Sequence, residues 1–350
     1  MGCLSAIRMA HLLLSSICVM WVVVFSVSGL GLGLGMRPSV LTFDEGYTRV
    51  FGDSNLMLLR DGKTVHLSLD ERTGAGFASQ DLYLHGLFSA SIKLPADYAA
   101  GVVVAFYMSN GDMFENTHDE IDFEFLGNIR GKEWRIQTNV YGNGSTGIGR
   151  EERYSMWFDP TEDFHNYAIL WTKNRIVFSI DDIPIREVTR KRGMEESFPE
   201  KPMSLYATIW DGSGWATNGG RYRINYKLAP YVAEFANLVL HGCVVDPTDH
   251  SSTCHDDKDG ESRSFADFTL STGKRSAMEK FRKGYTTYTY CYARQRYRTA
   301  LSECRSDRAM VKNLHGVRFD KLGYRRPHSK HHYKSAATSR KNRQIGSAKL

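Results

Sequence analysis

The sequence predicts an all-β protein built as a β-sandwich, and two observations carry that prediction. Short segments such as residues 64–69 and 87–94 alternate polar and apolar side chains with the period of two that is typical of half-buried strands. Turn pairs such as Asp61-Gly62 separate these segments, and helical spacing is almost absent before residue 230. Many short strands at this spacing indicate a sandwich.

The remaining elements follow in chain order. Residues 101–107 form a continuous apolar run, which predicts a strand buried on both faces. Asp181-Asp182 predicts a hairpin turn between strands at 176–180 and 183–188. Residues 229–240 fit either a short helix or a last strand, and residues 278–285 predict a helix that ends near Gly284.

One predicted strand carries three carboxylates on a single face. From residue 120 to 125 acids alternate with large apolar residues, so Glu120, Asp122 and Glu124 share one face while the opposite face can enter a core. Same-face neighbours lie roughly 6.6–7 Å apart, so at least one pKa should rise and a proton should be shared. Such a row suits glycoside hydrolysis, but a solvent-facing acidic strand or a calcium site has the same pattern.

Residues 118–127, which read HDEIDFEFLG, resemble the signature of the plant xyloglucan endotransglucosylase/hydrolases, a branch of the retaining glycosidases. The resemblance implies a β-jelly-roll whose concave sheet holds the substrate cleft. It also implies that Glu120 is the nucleophile, that Asp122 assists it, and that Glu124 is the general acid/base. The reaction it implies needs neither metal nor cofactor. A retaining pair needs carboxyl groups about 5–5.5 Å apart, so the long side chains must lean together or the strand must bend.

The resemblance covers roughly residues 40–305 and extends to substrate binding. From the residues alone, Gln137 and Asn139 share a strand face and offer amides that suit sugar hydroxyls, although ordinary surface polarity gives the same pattern. The tryptophans of the Gly-rich loop at 208–220 can stack on pyranose rings or pack as a core pair. The binding residues that the resemblance implies are Glu124, Gln137, Thr138, Asn139, Gly149, Arg150, Glu151, Trp215, Gly219 and Arg296. Gly214 and the pair Tyr292-Ala293 depart from the family pattern on the acceptor side.

The N-terminus predicts export. An apolar run at residues 12–27 follows Arg8 and His11, and small residues precede a cleavage point after residue 28, which could lie as late as Met36. A membrane anchor is the alternative, but the run is shorter than the roughly 20 residues of a spanning helix. We therefore expect a secreted protein of the cell wall or apoplast, without membrane contact after signal removal.

Four cysteines remain in the exported chain, and an even number predicts two disulfides with three possible pairings. Pairing between sequence neighbours is simplest, and the family resemblance supports it: Cys243 with Cys254, and Cys291 with Cys304. Zinc is disfavoured because no C-x-x-C spacing is present. Asn143 begins an N-x-S sequon and is a candidate glycan site.

These features predict four regions: a signal peptide at 1–28, a jelly-roll catalytic domain at 37–240, a C-terminal extension with two disulfides at 241–305, and a basic tail at 306–350. The net charge of +6 is concentrated in that tail, which we expect to be disordered. Acidic wall polysaccharide is its expected partner, with a plain solvated tail as the alternative, and nucleic acid is not expected outside the cell.

The function that the sequence predicts is xyloglucan endotransglucosylation, with xyloglucan as both donor and acceptor. The alternatives are hydrolysis of xyloglucan, cleavage of a mixed-linkage glucan, and carbohydrate binding without catalysis. Three mutually repelling carboxylates argue against pure binding, which has no need of them.

Overall fold

A computed structural model describes residues 39–327 of the chain, apart from 97, 195, 247–267, 307–313 and 315. The predicted signal peptide, Cys254 and the chain after residue 327 lie outside the described residues. Within the described ranges, no helix has the length and apolar character needed to cross a membrane.

The strands of the described residues form two antiparallel sheets, as an all-β sandwich requires, and the predicted fold class is confirmed. The strands are β1 (Tyr47–Phe51), β2 (Leu56–Leu58), β3 (Val65–Leu69), β4 (Ala75–Ser79), β5 (Leu82–Lys93), β6 (Val102–Ser109), β7 (Glu120–Leu126), β8 (Arg135–Tyr141), β9 (Glu152–Tyr154), β10 (His165–Thr172), β11 (Arg175–Ile180), β12 (Ile183–Thr189), β13 (Ser204–Asp211), β14 (Tyr231–Val245) and β15 (Thr286–Thr289). One sheet has the order β1-β4-β13-β6-β7-β8-β9-β15, and the other has the order β12-β11-β10-β5-β14-β3-β2.

The predicted hairpin is found, and the choice that the sequence left open at residues 229–240 is decided in favour of a strand. Asp181 and Asp182 form the turn that joins β11 to β12. Their φ angles are +46° and +63°, as a two-residue hairpin turn with positive φ at both central residues requires. Residues 231–245 form β14 rather than a helix, and alternate residues from Tyr231 to Phe235 enter the core.

Helices are short and lie mainly at the C-terminal end of the described chain. They are α1 (Phe43–Gly46), α2 (Thr272–Tyr285) and α3 (Ser302–Ser306). The sequence predicted α2 only from residue 278; it begins six residues earlier because the Ser271 hydroxyl accepts a hydrogen bond from the Lys274 N–H at 3.3 Å. Phe281 of α2 packs into the main core, so the C-terminal extension is anchored to the sandwich.

The main core lies between the two sheets and holds β7 in place. The inward side chains of β7, Ile121, Phe123 and Phe125, are fully buried. Phe125 meets the ring of Tyr167 in β10 edge-to-face with centroids 4.7 Å apart, and Phe123 meets Phe178 in β11 at 5.1 Å. Because these rings cross the sandwich, a slip of β7 by one residue would bury its carboxylates.

The C-terminal extension completes one edge of the sheet that contains β7. Strand β15 pairs with β9, and residues 316–327 fold back beside it, with a bridge between Tyr288 and Tyr324. The prediction of a disordered tail from residue 306 is therefore wrong for residues 316–327. The reason is a backbone ladder that composition does not reveal: the Arg325 N–H donates to the Thr287 carbonyl at 2.8 Å, and the Thr289 N–H donates to the Gly323 carbonyl at 3.0 Å.

Candidate active site

The candidate active site lies on the outer face of β7, at the centre of the eight-stranded sheet. Neighbouring strands supply the residues beside each carboxylate: Asp122 stands opposite Asn139 of β8, and Glu124 stands opposite Gln137. On the other side, Tyr107 of β6 stands opposite Asp122. The register therefore places Gln137 and Asn139, which were predicted to share a face, directly beside the carboxylates.

All three carboxylates line one cavity of about 350 Å³. Its lining residues are Phe51, Ala105, Tyr107, Glu120, Asp122, Glu124, Thr208 and Trp210. Asp122 is only 4% exposed, which argues against a solvent-facing acidic strand. In the described part of the chain, no group of three His, Cys, Asp or Glu side chains is placed to hold a metal ion.

The central carboxyl group, Asp122, is the most strongly perturbed of the three. Burial raises its pKa well above the usual value, and the charges of Glu120 and Glu124 raise it further. Asp122 shares a hydrogen bond with Glu120, while a hydrogen bond with Asn139 acts in the opposite direction. A protonated Asp122 can therefore donate to Glu120 and hold its oxygen in place.

Glu124 has the pKa of a general acid/base. Burial raises its pKa to about 7, and the charges of Glu151 and Glu120 act in the same direction. Two groups oppose this rise: the Gln137 Nε2 donates to Glu124 Oε2 at 2.5 Å, and the positive charge of Arg153 lowers the pKa. A group with a pKa near neutrality can both give and take a proton at physiological pH.

Arg153 fixes the orientation of Gln137. Its Nε donates to the Gln137 Oε1 at 2.6 Å, so the amide nitrogen of Gln137 is turned toward Glu124. The guanidinium of Arg153 lies 5.5 Å from the ring centroid of Tyr288 and 3.4 Å from the Tyr324 hydroxyl. The C-terminal extension therefore supports the partner of Glu124.

The Glu120 end of β7 has its own supports. His118 lies with Nε2 2.8 Å from the Tyr141 hydroxyl and 3.8 Å from Glu120 Oε2. Tyr141 is also hydrogen-bonded to Glu120 and faces His118 edge-to-face. These contacts limit the rotamers that Glu120 can adopt.

Asp119 fixes the loops around that end of the strand. Its buried carboxylate accepts backbone N–H groups from Asn143 at 2.7 Å, Glu200 at 2.7 Å and Lys201 at 2.8 Å. Two loops distant in sequence are thus tied to the residue before Glu120, and β7 is held at its start as well as through its core face.

Comparison with known proteins gives the family. The profile described as "Glycosyl hydrolases family 16" matches residues 43–228, and the profile described as "Xyloglucan endo-transglycosylase (XET) C-terminus" matches residues 259–304. The probable xyloglucan endotransglucosylase/hydrolase protein 28 of Arabidopsis thaliana is 60% identical over 82% of this chain and 85% of its own length. The chain belongs to glycosyl hydrolase family 16, in the xyloglucan endotransglucosylase/hydrolase group.

A second curated relative agrees with this assignment. The probable xyloglucan endotransglucosylase/hydrolase protein 27 of Arabidopsis thaliana is 58% identical over 88% of this chain and 93% of its own length. Among solved structures, a Bacillus licheniformis β-glucanase matches 58% of this chain and 92% of its own, at 23% identity and a TM-score of 0.45.

Three of the binding residues expected from the family lie together. Arg296 of the C-terminal extension donates to Glu151 Oε2 at 2.5 Å, close to Gly149. Glu151 in turn acts on the pKa of Glu124. The structure therefore brings Gly149, Glu151 and Arg296 to the side of the cleft where Glu124 lies, and their contact with sugar stays a prediction.

Two of the predicted binding side chains point away from the cleft. Thr138 is fully buried, and its hydroxyl accepts a hydrogen bond from Arg186 at 2.8 Å on the core face of β8. Arg150 is 1% exposed, because its guanidinium donates to Glu303 at 2.6 Å and to the Ser197 hydroxyl at 2.9 Å. The predictions that these two side chains contact sugar are therefore wrong; both serve the packing beneath the cleft.

The tryptophan loop places its two rings differently. Trp210 lines the carboxylate cavity. Trp215 packs against the Trp210 ring, with ring centroids 6.1 Å apart. Gly219 lies on an exposed turn with φ +67°, and no atom approaches the position of a Cβ there. Binding by Trp215 and Gly219 stays a prediction.

Sequence reasoning expected Trp210 as one of two tryptophans that could stack on sugar, but it missed three other residues of the cavity: Phe51, Tyr107 and Thr208. Period two along β13 places Thr208 on the same face as Trp210, opposite the fully buried Ala207 and Ile209, so that pattern could have identified Thr208. Phe51 enters only through the pairing of β1 with β4, which no local pattern predicts.

The covalent features have mixed outcomes. The predicted disulfide between Cys291 and Cys304 is present. Cys254 lies outside the described residues, so its pairing with Cys243 stays a prediction. Asn143 is exposed on a left-handed turn with φ +53°, and its glycan also stays a prediction.

Proposed function

We propose that this protein is a secreted xyloglucan endotransglucosylase that cuts the β-1,4-glucan backbone of xyloglucan with retention and joins it to another xyloglucan chain. The observation that carries the proposal is the row of carboxylates on β7, in which a buried Asp122 separates Glu120 from a Glu124 whose pKa is about 7. A retaining glycosidase needs one carboxylate that attacks and one that exchanges a proton.

In the first step, a Glu120 oxygen attacks the anomeric carbon as the bond to the glycosidic oxygen breaks. Glu124 gives its proton to that oxygen, so the leaving chain departs as an alcohol and a covalent glycosyl-enzyme remains. Asp122 holds Glu120 through their hydrogen bond while the charge on Glu120 disappears. In the second step, Glu124 takes a proton from the incoming hydroxyl, which then displaces Glu120 from the anomeric carbon.

The incoming hydroxyl decides between transfer and hydrolysis. A 4-hydroxyl of a second chain gives transglycosylation, and water gives hydrolysis. We assign Glu124, Gln137, Asn139, Gly149, Glu151, Trp215, Gly219 and Arg296 to substrate binding. The departures at Gly214 and Tyr292-Ala293 lie in the region assigned to the acceptor, so they bear on the ratio of the two reactions.

The decisive experiment incubates the protein with xyloglucan and a fluorescent xyloglucan oligosaccharide. Label that moves into polymer supports transferase activity, whereas new reducing ends without labelled polymer indicate a hydrolase. Mixed-linkage glucan in place of xyloglucan tests the nearest rival substrate.

The Glu120→Gln variant tests the assigned nucleophile. It should lose nearly all turnover and keep binding, because the amide cannot form the glycosyl-enzyme. The matched control is Glu71→Gln, an exposed acid between β3 and β4, which should keep full activity. Undiminished turnover of Glu120→Gln would overturn the assignment, and binding without turnover in the native protein would indicate a non-catalytic role.

We also propose export to the cell wall through residues 1–28 and contact of the basic tail with acidic polysaccharide. The test compares the full chain with a version that ends after Pro327, on immobilised polygalacturonate at low and high salt. Retention of the full chain at low salt that is lost both at high salt and on removal of the tail supports the contact. Equal binding of both versions would overturn it.

A further inference from the structure

A second cavity, of about 750 Å³, lies beside the carboxylate cleft. It begins at Leu126, the next residue after Glu124 on the outer face of β7. Its lining residues are Leu126, Gly127, Asn128, Ile129, Lys132, Arg135, Arg153, Ala216, Thr217, Asn218, Tyr222, Thr287, Tyr324, Arg325, Arg326 and Pro327. Arg153 connects the two cavities, because it also holds Gln137 beside Glu124.

The wall of this cavity is built jointly by the sandwich and the segment that we expected to be disordered. Residues 324–327 contribute four lining residues, and the Arg325 guanidinium fastens the segment by donating to the Gly284 carbonyl at 2.7 Å. The Arg326 N–H donates to the Arg318 carbonyl at 2.7 Å, which closes the segment on itself. The folding back of residues 316–327 on β15 therefore supplies one wall of the cavity.

The lining carries positive charge without a carboxylate. Five of its side chains are lysine or arginine and none is aspartate or glutamate. Arg135 is paired with Glu133 at 3.3 Å, and Arg153 is bound to Gln137. Lys132 and Arg326, in contrast, have exposed side chains that make no ion pair with the described residues.

The uncharged part of the lining suits a sugar ring. Tyr222 and Tyr324 offer aromatic surface, and Tyr324 is 45% exposed, so its ring is open to a ligand. Asn128 and Asn218 offer amides, which can donate to hydroxyls and accept from them. An inorganic anion would use the cations alone and leave this surface without a role.

We propose that this cavity is a subsite for a carboxylate-bearing sugar, a uronosyl residue carried as a branch by a glucan chain that lies in the cleft. Lys132 and Arg326 bind the carboxylate, and the tyrosines bind the ring. The proposal rests on the proposed function, since it needs a glucan in the cleft. It names a class of substrate, acidic branched glucan, beyond neutral xyloglucan.

The test measures transfer from xyloglucan to two oligosaccharide acceptors that differ only in one branch sugar, galactosyl or galacturonosyl. In the double variant Lys132→Gln/Arg326→Gln, KM for the acidic acceptor should rise about 3- to 10-fold, since each exposed ion pair is worth less than about 1 kcal/mol. KM for the neutral acceptor should change less than about twofold. The matched control is Arg60→Gln/Lys63→Gln, which removes two exposed cations from the loop after β2 in the other sheet.

Three outcomes would overturn the subsite: no preference of the native protein for the acidic acceptor, equal loss with both acceptors in the double variant, or equal loss in the control. Inhibition of acidic-acceptor transfer by sodium sulfate beyond that by sodium chloride at the same ionic strength would indicate a general anion site instead.

Failure of the proposed function is distinguishable from failure of the subsite. Failure of the proposed function would appear as absent turnover with the neutral acceptor. Calorimetric titration of Glu120→Gln protein with the two oligosaccharides would then still report on the subsite, and equal affinity for both would overturn it.

Discussion

Burial raises the pKa of Glu124 and the hydrogen bond from Gln137 lowers it, so replacement of Gln137 should be visible in the pH dependence of the reaction. In Gln137→Met the donor to Glu124 Oε2 is lost while an unbranched side chain of similar length keeps the packing. A hydrogen bond to a charged group is worth about 1.5–3 kcal/mol, and one pKa unit corresponds to about 1.4 kcal/mol. Because the lost bond stabilises the ionised carboxylate, the pKa of Glu124 should rise from about 7 by about one to two units.

In the first step that we propose, Glu124 gives a proton, so kcat/KM should fall as pH rises through its pKa. We therefore expect the alkaline limb of the pH profile to move upward by about one to two pH units in Gln137→Met. The alkaline limb should disappear in Glu124→Gln, which would identify Glu124 as the group whose titration causes it.

The matched control is Gln80→Met, which loses hydrogen bonds to the carbonyls of Asp44 and Tyr47, away from the cleft, and should keep the native profile. An alkaline limb that stays in place or moves downward in folded Gln137→Met protein would refute the reasoning.

Three further changes test other parts of the structure. Arg282→Met leaves the carboxylate of Glu152 buried without its 2.6 Å partner, so the free energy of unfolding in urea at pH 7 should fall by about 3–5 kcal/mol. The pKa of Glu152 lies at about 2, below its usual 4.5, so this stabilisation is fully present above pH 4.5. The free energies of unfolding of the native protein and the variant should therefore converge as pH falls toward 2. Equal urea midpoints at pH 7 would contradict this prediction. Cys291→Ser/Cys304→Ser opens a loop with a sequence separation of 13 and should cost about 2–4 kcal/mol, measured as a lower melting temperature, with an unchanged value as the contrary result. Trp210→Ala should raise KM for xyloglucan about 5- to 30-fold, because about 1–2 kcal/mol of binding free energy from contact between the indole ring and the sugar is lost. An unchanged KM would show that Trp210 does not bind the substrate.

Period two predicted the geometry of the acidic strand correctly. It placed the three acids of β7 on one face and the aromatic side chains of residues 123 and 125 in the core, because alternation is a local property of an extended chain. The same rule places Thr138 on the opposite face from Gln137 and Asn139, and the structure agrees with it. The error at Thr138 came from the family resemblance, which marked three consecutive residues as one binding segment.

Arg150 shows why burial of charged residues is harder to predict. Its partner Glu303 is 153 residues away in sequence. No local pattern around Arg150 predicts that a helix of the C-terminal extension places a carboxylate beside its guanidinium. The same holds for residues 316–327, whose composition resembles a solvated tail but whose backbone groups pair with β15. Composition measures the average tendency to be buried, and it carries no information about a specific strand edge that is free to pair.

The sequence by itself determined the sandwich, the acidic strand and the assignment to a family of retaining glycosidases, because each depends on residues that are neighbours along the chain. Only the tertiary structure decided what surrounds each carboxylate. Strand register places Gln137 and Arg153 near Glu124 and Tyr141 near Glu120. The folding back of the chain after β15 places Tyr324 beside Arg153. Since a pKa depends on burial and on charges a few ångströms away, the roles that we propose for these three similar acids rest on that packing.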